Sequence, residues 1–292
     1  LLRRFVQRNK MFVAAGSVAI IAVLLGSVTA IMGYIRATEA EQVALQEAET
    51  ARQVSDFLLG LFHVSDPLSF APITNVSGAD ITPREVLDMG AERIRTELNE
   101  QPIVQANLMN AIGGVYLGLN VLDEAEEMLL DGLAIREREL SAASPQVADS
   151  HVSLGRLHYL KGEYAKSAAA FDKAAVIYRA AAGDYRLALS RTLGALSVSL
   201  SHKGDLEEAL DVQMRAIELL DELGVEDPAQ RGTEFNNLGH IYHLLGNLRE
   251  SAAAFEEAVA NFEQSNARGY QASALGNLAA IYQVVGRLAD AR

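Results

Sequence analysis

The sequence contains no cysteine and no tryptophan, and segments of alternating apolar and polar residues are scarce. Without cysteine the chain can form neither a disulfide nor a thiolate metal site. Because such alternation is the main signal for a half-buried β-strand, its scarcity argues against a sheet protein. A cysteine-free chain of this kind is compatible with an extracytoplasmic bacterial domain.

Motifs for nucleotide chemistry are also missing. The sequence has no GxxxxGK[ST] loop and no GxGxxG following a strand, and neither an HRD-type catalytic loop nor a DFG-type triplet occurs. Phosphoryl transfer needs a phosphate cradle, a metal-holding carboxylate and a placed base, and these do not occur together here. We therefore predict no catalytic residue, no cofactor and no metal site in this chain.

Charge is distributed unevenly along the 292 residues. Residues 1–36 hold five of the 25 basic residues and none of the 38 acidic ones, so the rest of the chain has 20 basic against 38 acidic residues, a net charge of −18. A body this acidic repels phosphates. The composition therefore excludes nucleic acid as the expected partner.

One long uncharged run, residues 11–35, stands near the N-terminus. A helix of that length rises about 1.5 Å per residue and spans a hydrocarbon core of roughly 30 Å. Its N-terminal flank carries Arg3, Arg4, Arg8 and Lys10 without an acid. The positive-inside rule then predicts a single-pass bacterial inner-membrane protein with a cytoplasmic N-terminus and an extracytoplasmic body. A cleaved signal peptide is the rival interpretation, although its apolar region would be shorter.

The remaining boundaries follow from composition. Residues 1–10 are a cytoplasmic juxtamembrane stub, 36–63 an Ala/Glu-rich stalk helix, and 64–81 a Pro-containing linker. Residues 82–105 are a capping helix region, in which Thr82-Pro83-Arg84-Glu85 forms a capping-box helix start and the helix is predicted over 83–99. Residues 106–292 are repeats, four complete and one truncated. Because the chain begins with Leu1 and ends inside a helical pattern, we interpret it as a fragment.

The repeats keep a nearly constant register. One slot is filled, at spacings of 42, 42, 42 and 40, by Tyr116, His158, Leu200, Tyr242 and Tyr282. Four residues later stand Asn120, Gly162, Gly204, Gly246 and Gly286. Each copy therefore predicts a helix pair with a left-handed residue between its helices and a small residue early in the second. Copy three departs from the pattern at Leu200 and Gln213 and is expected to pack more loosely.

This pattern resembles the tetratricopeptide repeat, in the long variety of kinesin light chains and many bacterial signalling proteins. The resemblance implies an all-α fold: one transmembrane helix and stalk helix followed by an α-solenoid. It also implies that the first helix of each pair lines a concave groove that binds a protein or peptide. By position, the groove residues are Asn107, Asn110, Asp149, Arg156, Tyr159, Arg191, His202, Asn236, His240 and His243.

Two of these histidines allow a second interpretation. His240 and His243 lie three residues apart on one helix, so both could face one metal ion, but a third ligand at suitable spacing is missing. We favour groove contact or an ordinary surface position for both residues. His158, which occupies the tyrosine slot, is expected to be a packed residue.

The order of segments resembles something narrower. A basic RRFVQRN run, one membrane helix, ARQVSDFLLGLFHVSDP, ITPREVLDMGAERIRTEL and long repeats are similar to the C-terminal half of bacterial membrane serine/threonine protein kinases with tetratricopeptide repeats. The resemblance implies a kinase domain before Leu1, which would bind ATP and Mg²⁺. An envelope-side scaffold without a kinase, or a regulator of transcription or a cyclase, remains the alternative. Pairing of two stalks into a homodimer is left open.

Overall fold

The computed structural model describes residues 82–225 and 227–286, which form ten α-helices and no strand. The helices are α1 Pro83–Glu97, α2 Pro102–Gly118, α3 Leu122–Glu139, α4 Pro145–Leu160, α5 Tyr164–Ala180, α6 Arg186–Lys203, α7 Leu206–Leu223, α8 Pro228–Leu244, α9 Leu248–Gln264 and α10 Arg268–Val285. The all-helical prediction is confirmed for this part of the chain.

The predictions for residues 1–81 concern a part of the chain that lies outside the described residues. These predictions are the stub, the membrane helix 11–35, the stalk and the linker, and their boundaries stay predictions. Within the part that the structure describes, no helix is both long enough and apolar enough to span a bilayer.

Helix α1 begins with the predicted capping box. Thr82 Oγ1 accepts a hydrogen bond from the backbone N–H of Glu85, and the Glu85 carboxylate accepts one from the backbone N–H of Thr82 at 2.7 Å. These bonds satisfy backbone donors that a helix start otherwise leaves unpaired, and they lower the pKa of Glu85. The helix ends at Glu97 instead of the predicted Asn99, because Leu98 already leaves the helical conformation.

The nine helices from α2 to α10 alternate between two layers. Successive helices form antiparallel pairs, α2 with α3, α4 with α5, α6 with α7, and α8 with α9, and α10 is the first helix of a further pair. Even-numbered helices also contact the next even-numbered helix: α2 contacts α4, α6 contacts α8, and α8 contacts α10. Tyr159 of α4 and His202 of α6 complete the series with a hydrogen bond.

The turn within each pair has the predicted geometry. The residue between the two helices has a positive φ, 57° at Asn120 and 73° at Gly162. This left-handed conformation is open to glycine and, less easily, to asparagine. The later glycines at this slot, Gly204, Gly246 and Gly286, share it.

Small residues bring the paired helices close together. Ser167 and Ser251 are fully buried, and each hydroxyl donates to a carbonyl of the facing helix at 2.8 Å, of Gly155 and Gly239 respectively. The same two glycines accommodate an aromatic ring. A Cβ at Gly155 would come within 2.8 Å of the Phe171 ring.

The core of copy three, which was expected to pack loosely, is closed by a buried polar side chain. Gln213 stands where Phe171 and Phe255 stand in other copies and is fully buried. It accepts from Ser197 Oγ at 2.5 Å, and its Nε2 donates to Glu234 Oε2 at 2.7 Å. The expectation of looser packing is wrong, because hydrogen bonds replace the aromatic contact.

Candidate functional site

All ten residues predicted for the groove lie on even-numbered helices, and none is fully buried. Six are exposed, namely Asp149, Arg156, Arg191, His202, His240 and His243; Asn107, Asn110, Tyr159 and Asn236 are half-buried. The even-numbered helices contact one another along the chain, so their outer face is a continuous surface. Ligand binding by these residues stays a prediction.

Two groove residues near the start of their helices, Asn107 and Asp149, accept hydrogen bonds from neighbouring side chains. Arg136 of α3 is buried and donates to Asn107 Oδ1 at 2.7 Å and to Ser150 Oγ at 2.7 Å. Tyr178 of α5 donates its hydroxyl to Asp149 Oδ1. Burial lowers the pKa of Arg136 and raises that of Tyr178. The contacts to Asn107 and Asp149 lie within a helix pair, and the contact between Arg136 and Ser150 joins two pairs. Asn107 and Asp149 therefore have a packing role that the repeat pattern did not indicate.

An aromatic cluster occupies the middle of the groove. The Tyr159 hydroxyl and His202 Nε2 are 2.8 Å apart, and the His202 ring stacks on Tyr164 with centroids 4.8 Å apart. Tyr164 opens α5 and was not among the predicted groove residues. A tyrosine in a slot filled by leucine in the four other copies was the available signal.

A second cluster joins α8 to α10. Asn277 Nδ2 lies 3.2 Å from Asn236 Oδ1 and 3.1 Å from His240 Nε2, and the His240 ring packs edge-on against Phe255 at 5.2 Å. This packing lowers the pKa of His240, and the nearby His243 and His202 lower it further. Asn277 was missed because its role depends on the preceding repeat.

Arg156 and Arg191 make fewer contacts within the chain than the groove residues described above. Arg156 has no hydrogen-bond or ion-pair partner among the described residues, while Arg191 Nε donates to Gln230 at 2.6 Å. The same layer also exposes apolar side chains: Leu160 of α4 and Leu244 of α8 are 47% and 54% exposed. The groove therefore offers cationic, amide, aromatic and aliphatic groups, which suit an extended peptide.

Over residues 82–225 and 227–286, no three His, Asp or Glu side chains are arranged to hold a metal ion. His158, predicted to be packed, is half-buried, and its Nδ1 lies 2.7 Å from Glu163 Oε2.

A cleft outside the groove lies at the α2–α3 and α4–α5 turns. It has a volume of about 770 Å³. Ion pairs cross it, with Arg84 2.5 Å from Glu124 and Lys161 2.5 Å from Glu126 and 3.2 Å from Asp123. Its charged groups satisfy one another, so the cleft resembles a repeat junction more than a ligand site.

Comparisons with known proteins agree with this architecture. Models of the tetratricopeptide repeat match residues 104–175, 146–222 and 235–263, together just over half of the chain. No curated protein matches the sequence.

Solved structures share the fold at low identity. The nearly identical TPR-like repeats assigned to a kinesin light chain of Podosopora anserina are 18% identical, with a TM-score of 0.56, over 66% of this chain and 92% of that one. BtubC from P. vanneervenii is 18% identical, with a TM-score of 0.59, over 70% and 84%. The apo form of RapI is 16% identical, with a TM-score of 0.59, over 71% and 57%.

Tetratricopeptide repeats generally bind protein partners, and the fold is typically non-catalytic. The helix pairs, the left-handed turns, the small-residue contacts and the matching family models lead to one conclusion: the chain belongs to the tetratricopeptide-repeat family and has the fold of a protein-interaction scaffold.

Proposed function

We propose that this chain is the extracytoplasmic, protein-binding part of a membrane-anchored serine/threonine protein kinase. The groove on the even-numbered helices binds a segment of another protein and reports its presence across the membrane. The observation that carries the binding role is the exposure of six of the ten groove residues, together with Leu160 and Leu244, on the even-numbered helices.

The anchor and the kinase rest on the sequence. Residues 11–35 and their basic flank support a single crossing, and the order of segments supports a kinase domain before Leu1. ATP and Mg²⁺ belong to that domain in this proposal. This chain has no assigned catalytic residue, cofactor or metal.

Photo-crosslinking in cells tests the binding role. A photoreactive amino acid replaces Leu244 in the groove, and a matched variant carries it at Val176 on α5; the two side chains are 54% and 53% exposed. We expect discrete adducts with another protein from position 244 alone. Adducts from position 176 only, or from neither position, would contradict groove binding.

Two further measurements test the cellular setting. A reporter fused after Arg292 should be active outside the cytoplasm, and a cytoplasmic reporter would overturn the sensing model. The sequence before Leu1 separates the two parent proteins: a kinase catalytic loop supports the proposal, whereas an initiator methionine a few residues upstream supports an envelope-side scaffold.

A further inference from the structure

Charge is segregated between the two layers of helices. The odd-numbered helices α1 to α9 carry twenty-two carboxylates against ten Lys and Arg and contain no histidine. The even-numbered helices carry two carboxylates, Asp149 and Glu234, against six Lys and Arg. They also hold every histidine of the described residues, namely His151, His158, His202, His240 and His243.

We infer that the groove binds an acidic segment of a partner protein, rich in Asp and Glu, and binds it more tightly as the pH falls from 8 to 5.5. This inference rests on the proposed protein-binding function and names the chemistry of the partner. Its basis is the arrangement of unpaired cationic groups and histidines along α4, α6 and α8.

Ion pairs offset much of the positive charge on the odd-numbered helices. Five of their eight arginines are paired with carboxylates, as Arg95 is with Glu127 at 3.0 Å and Arg215 with Glu222 at 2.9 Å. Even-numbered helices show such pairs at their ends, as between Arg231 and Asp221 at 2.6 Å. In mid-groove, Arg156 has no partner in the described part of the chain. Arg191 is hydrogen-bonded to the neutral Gln230, and its charge partly offsets the rise in the pKa of Glu234 that burial causes. These groups are left to pair with a ligand.

The two carboxylates of this layer do not cancel its charge. Asp149 accepts the Tyr178 hydroxyl and lies near the buried Arg136, so its charge is already compensated. Glu234 is only 4% exposed, and burial raises its pKa to about 7. A large fraction of Glu234 is therefore protonated and neutral at physiological pH.

Distance weakens the effect of the acidic layer on the groove. Carboxylates on the outer faces of α3, α7 and α9 are separated from the groove by a helix about 10 Å thick, so each acts more weakly there than a charge on the groove itself. The nearest cations therefore contribute most per charge to the potential at the groove.

The histidines supply the pH dependence. His202 is faced by Tyr159, Tyr164 and His240, while Phe255, Asn277 and His243 face His240. None of these groups is a carboxylate, so no contact seen at the His240 ring favours its protonated form, and burial lowers its pKa. A ligand carboxylate would favour that form, and a rise of one pKa unit on binding gives about a tenfold gain in affinity below the transition.

A random ten-residue peptide library, panned against the full chain in lipid nanodiscs at pH 5.5 and pH 8, tests the inference. We expect selected peptides to be enriched in Asp and Glu over the input library. Synthetic copies of the selected peptides should bind about tenfold more tightly at pH 5.5 for each histidine engaged. Replacing Asp and Glu by Asn and Gln in these peptides should abolish the gain.

Variants locate the site. The H202Q/H240Q/H243Q variant, made in an E234Q background because Glu234 also changes charge in this pH range, should lose the pH dependence. R156Q should weaken binding about tenfold at both pH values. The matched control R179Q removes an exposed arginine of α5 and should change neither. Circular dichroism confirms that each variant is folded.

The outcomes distinguish a failure of the proposed binding function from a failure of the inferred acidic partner. If no peptide is enriched, the proposed groove function fails together with the inference. If neutral or basic peptides are enriched, or if the histidine variant keeps the pH dependence, binding stands and the acidic partner is wrong. Dimers formed at pH 5.5 without any peptide would point to a second copy of the chain as the acidic occupant and would also overturn the inference.

Discussion

Gly194 of α6 lies against the carboxylate of Glu234 in α8: a Cβ at residue 194 would come within 2.4 Å of Glu234 Oε2. This close approach leaves the carboxylate little room for water, and its direct hydrogen-bond donor is the neutral Gln213. Burial therefore raises the pKa of Glu234 to about 7. Glu234 therefore links the stability of the central repeats to pH.

Replacing Glu234 by Gln should remove this dependence. The folded chain holds the Glu234 proton up to about pH 7, whereas the unfolded chain releases it near 4.5, so stability from this group is complete below pH 4.5 and is lost as the pH rises to 7. Between pH 5 and 8 the wild type should lose about 2 kcal/mol more than E234Q in urea unfolding. E257Q, at an exposed carboxylate of α9, is the control. Parallel pH profiles for wild type and E234Q would contradict the burial argument.

The contact between Gly239 and Phe255 predicts that one methyl group added at residue 239 destabilises the fold. A Cβ at residue 239 would come within 2.7 Å of the Phe255 ring, whereas a Cβ at Gly276 would meet nothing within 4 Å. We expect G239A to lower the free energy of unfolding by about 2 kcal/mol through overpacking. G276A should raise it by up to about 1 kcal/mol through helix propensity. Equal effects of the two changes would show that the ring moves aside freely.

The Ser197–Gln213 pair of copy three can be replaced by the Gly–Phe pair of copy two. Ser197 and Gln213 occupy the slots that Gly155 and Phe171 occupy in copy two. Q213F alone should place a ring against the Ser197 Cβ, and S197G alone should remove the hydrogen bond. The double variant relieves the clash, so a double-mutant cycle should give a favourable coupling of about 1–2 kcal/mol. Strict additivity would mean that the two positions are independent.

The polar contact between α3 and α4 predicts a difference between two arginines of one helix. R136M keeps the apolar stem but removes bonds to Asn107, Ser150 and the Gln146 carbonyl, and should cost about 2 kcal/mol. R138M removes a side chain that is 65% exposed and pairs with its neighbour Glu139, and should stay within about 0.5 kcal/mol. Thermal and urea unfolding of both variants measure this difference.

Much of the fold could be predicted because the repeat period is a local property. The recurring tyrosine slot, the turn residues and the capping box at Thr82 each depend on neighbours a few residues away, and the helix bounds agree with them to within two residues at α1. The groove positions followed from the same register. All ten lie on the even-numbered helices, and their role in ligand binding stays a prediction.

Contacts about 40 residues apart could not be predicted. The pairs Tyr159–His202 and Asn277–His240 depend on the angle between successive repeats, which sets whether two side chains on adjacent helices meet. The packing of Gln213 was mispredicted for a related reason. Its partners Ser197 and Glu234 come from two other helices, so its polarity looked like a defect in the pattern.

The sequence by itself determined that the chain forms helix pairs in a constant register, because helix periodicity, caps and left-handed turn residues act over a few residues. It also contained the segregation of charge between alternate helices. Only the tertiary structure decided which arginines and histidines remain without a carboxylate partner, because pairing depends on distances between helices that are not adjacent in the chain. The stacking of repeats makes a set of separate helices into one surface, and the proposed function depends on that surface.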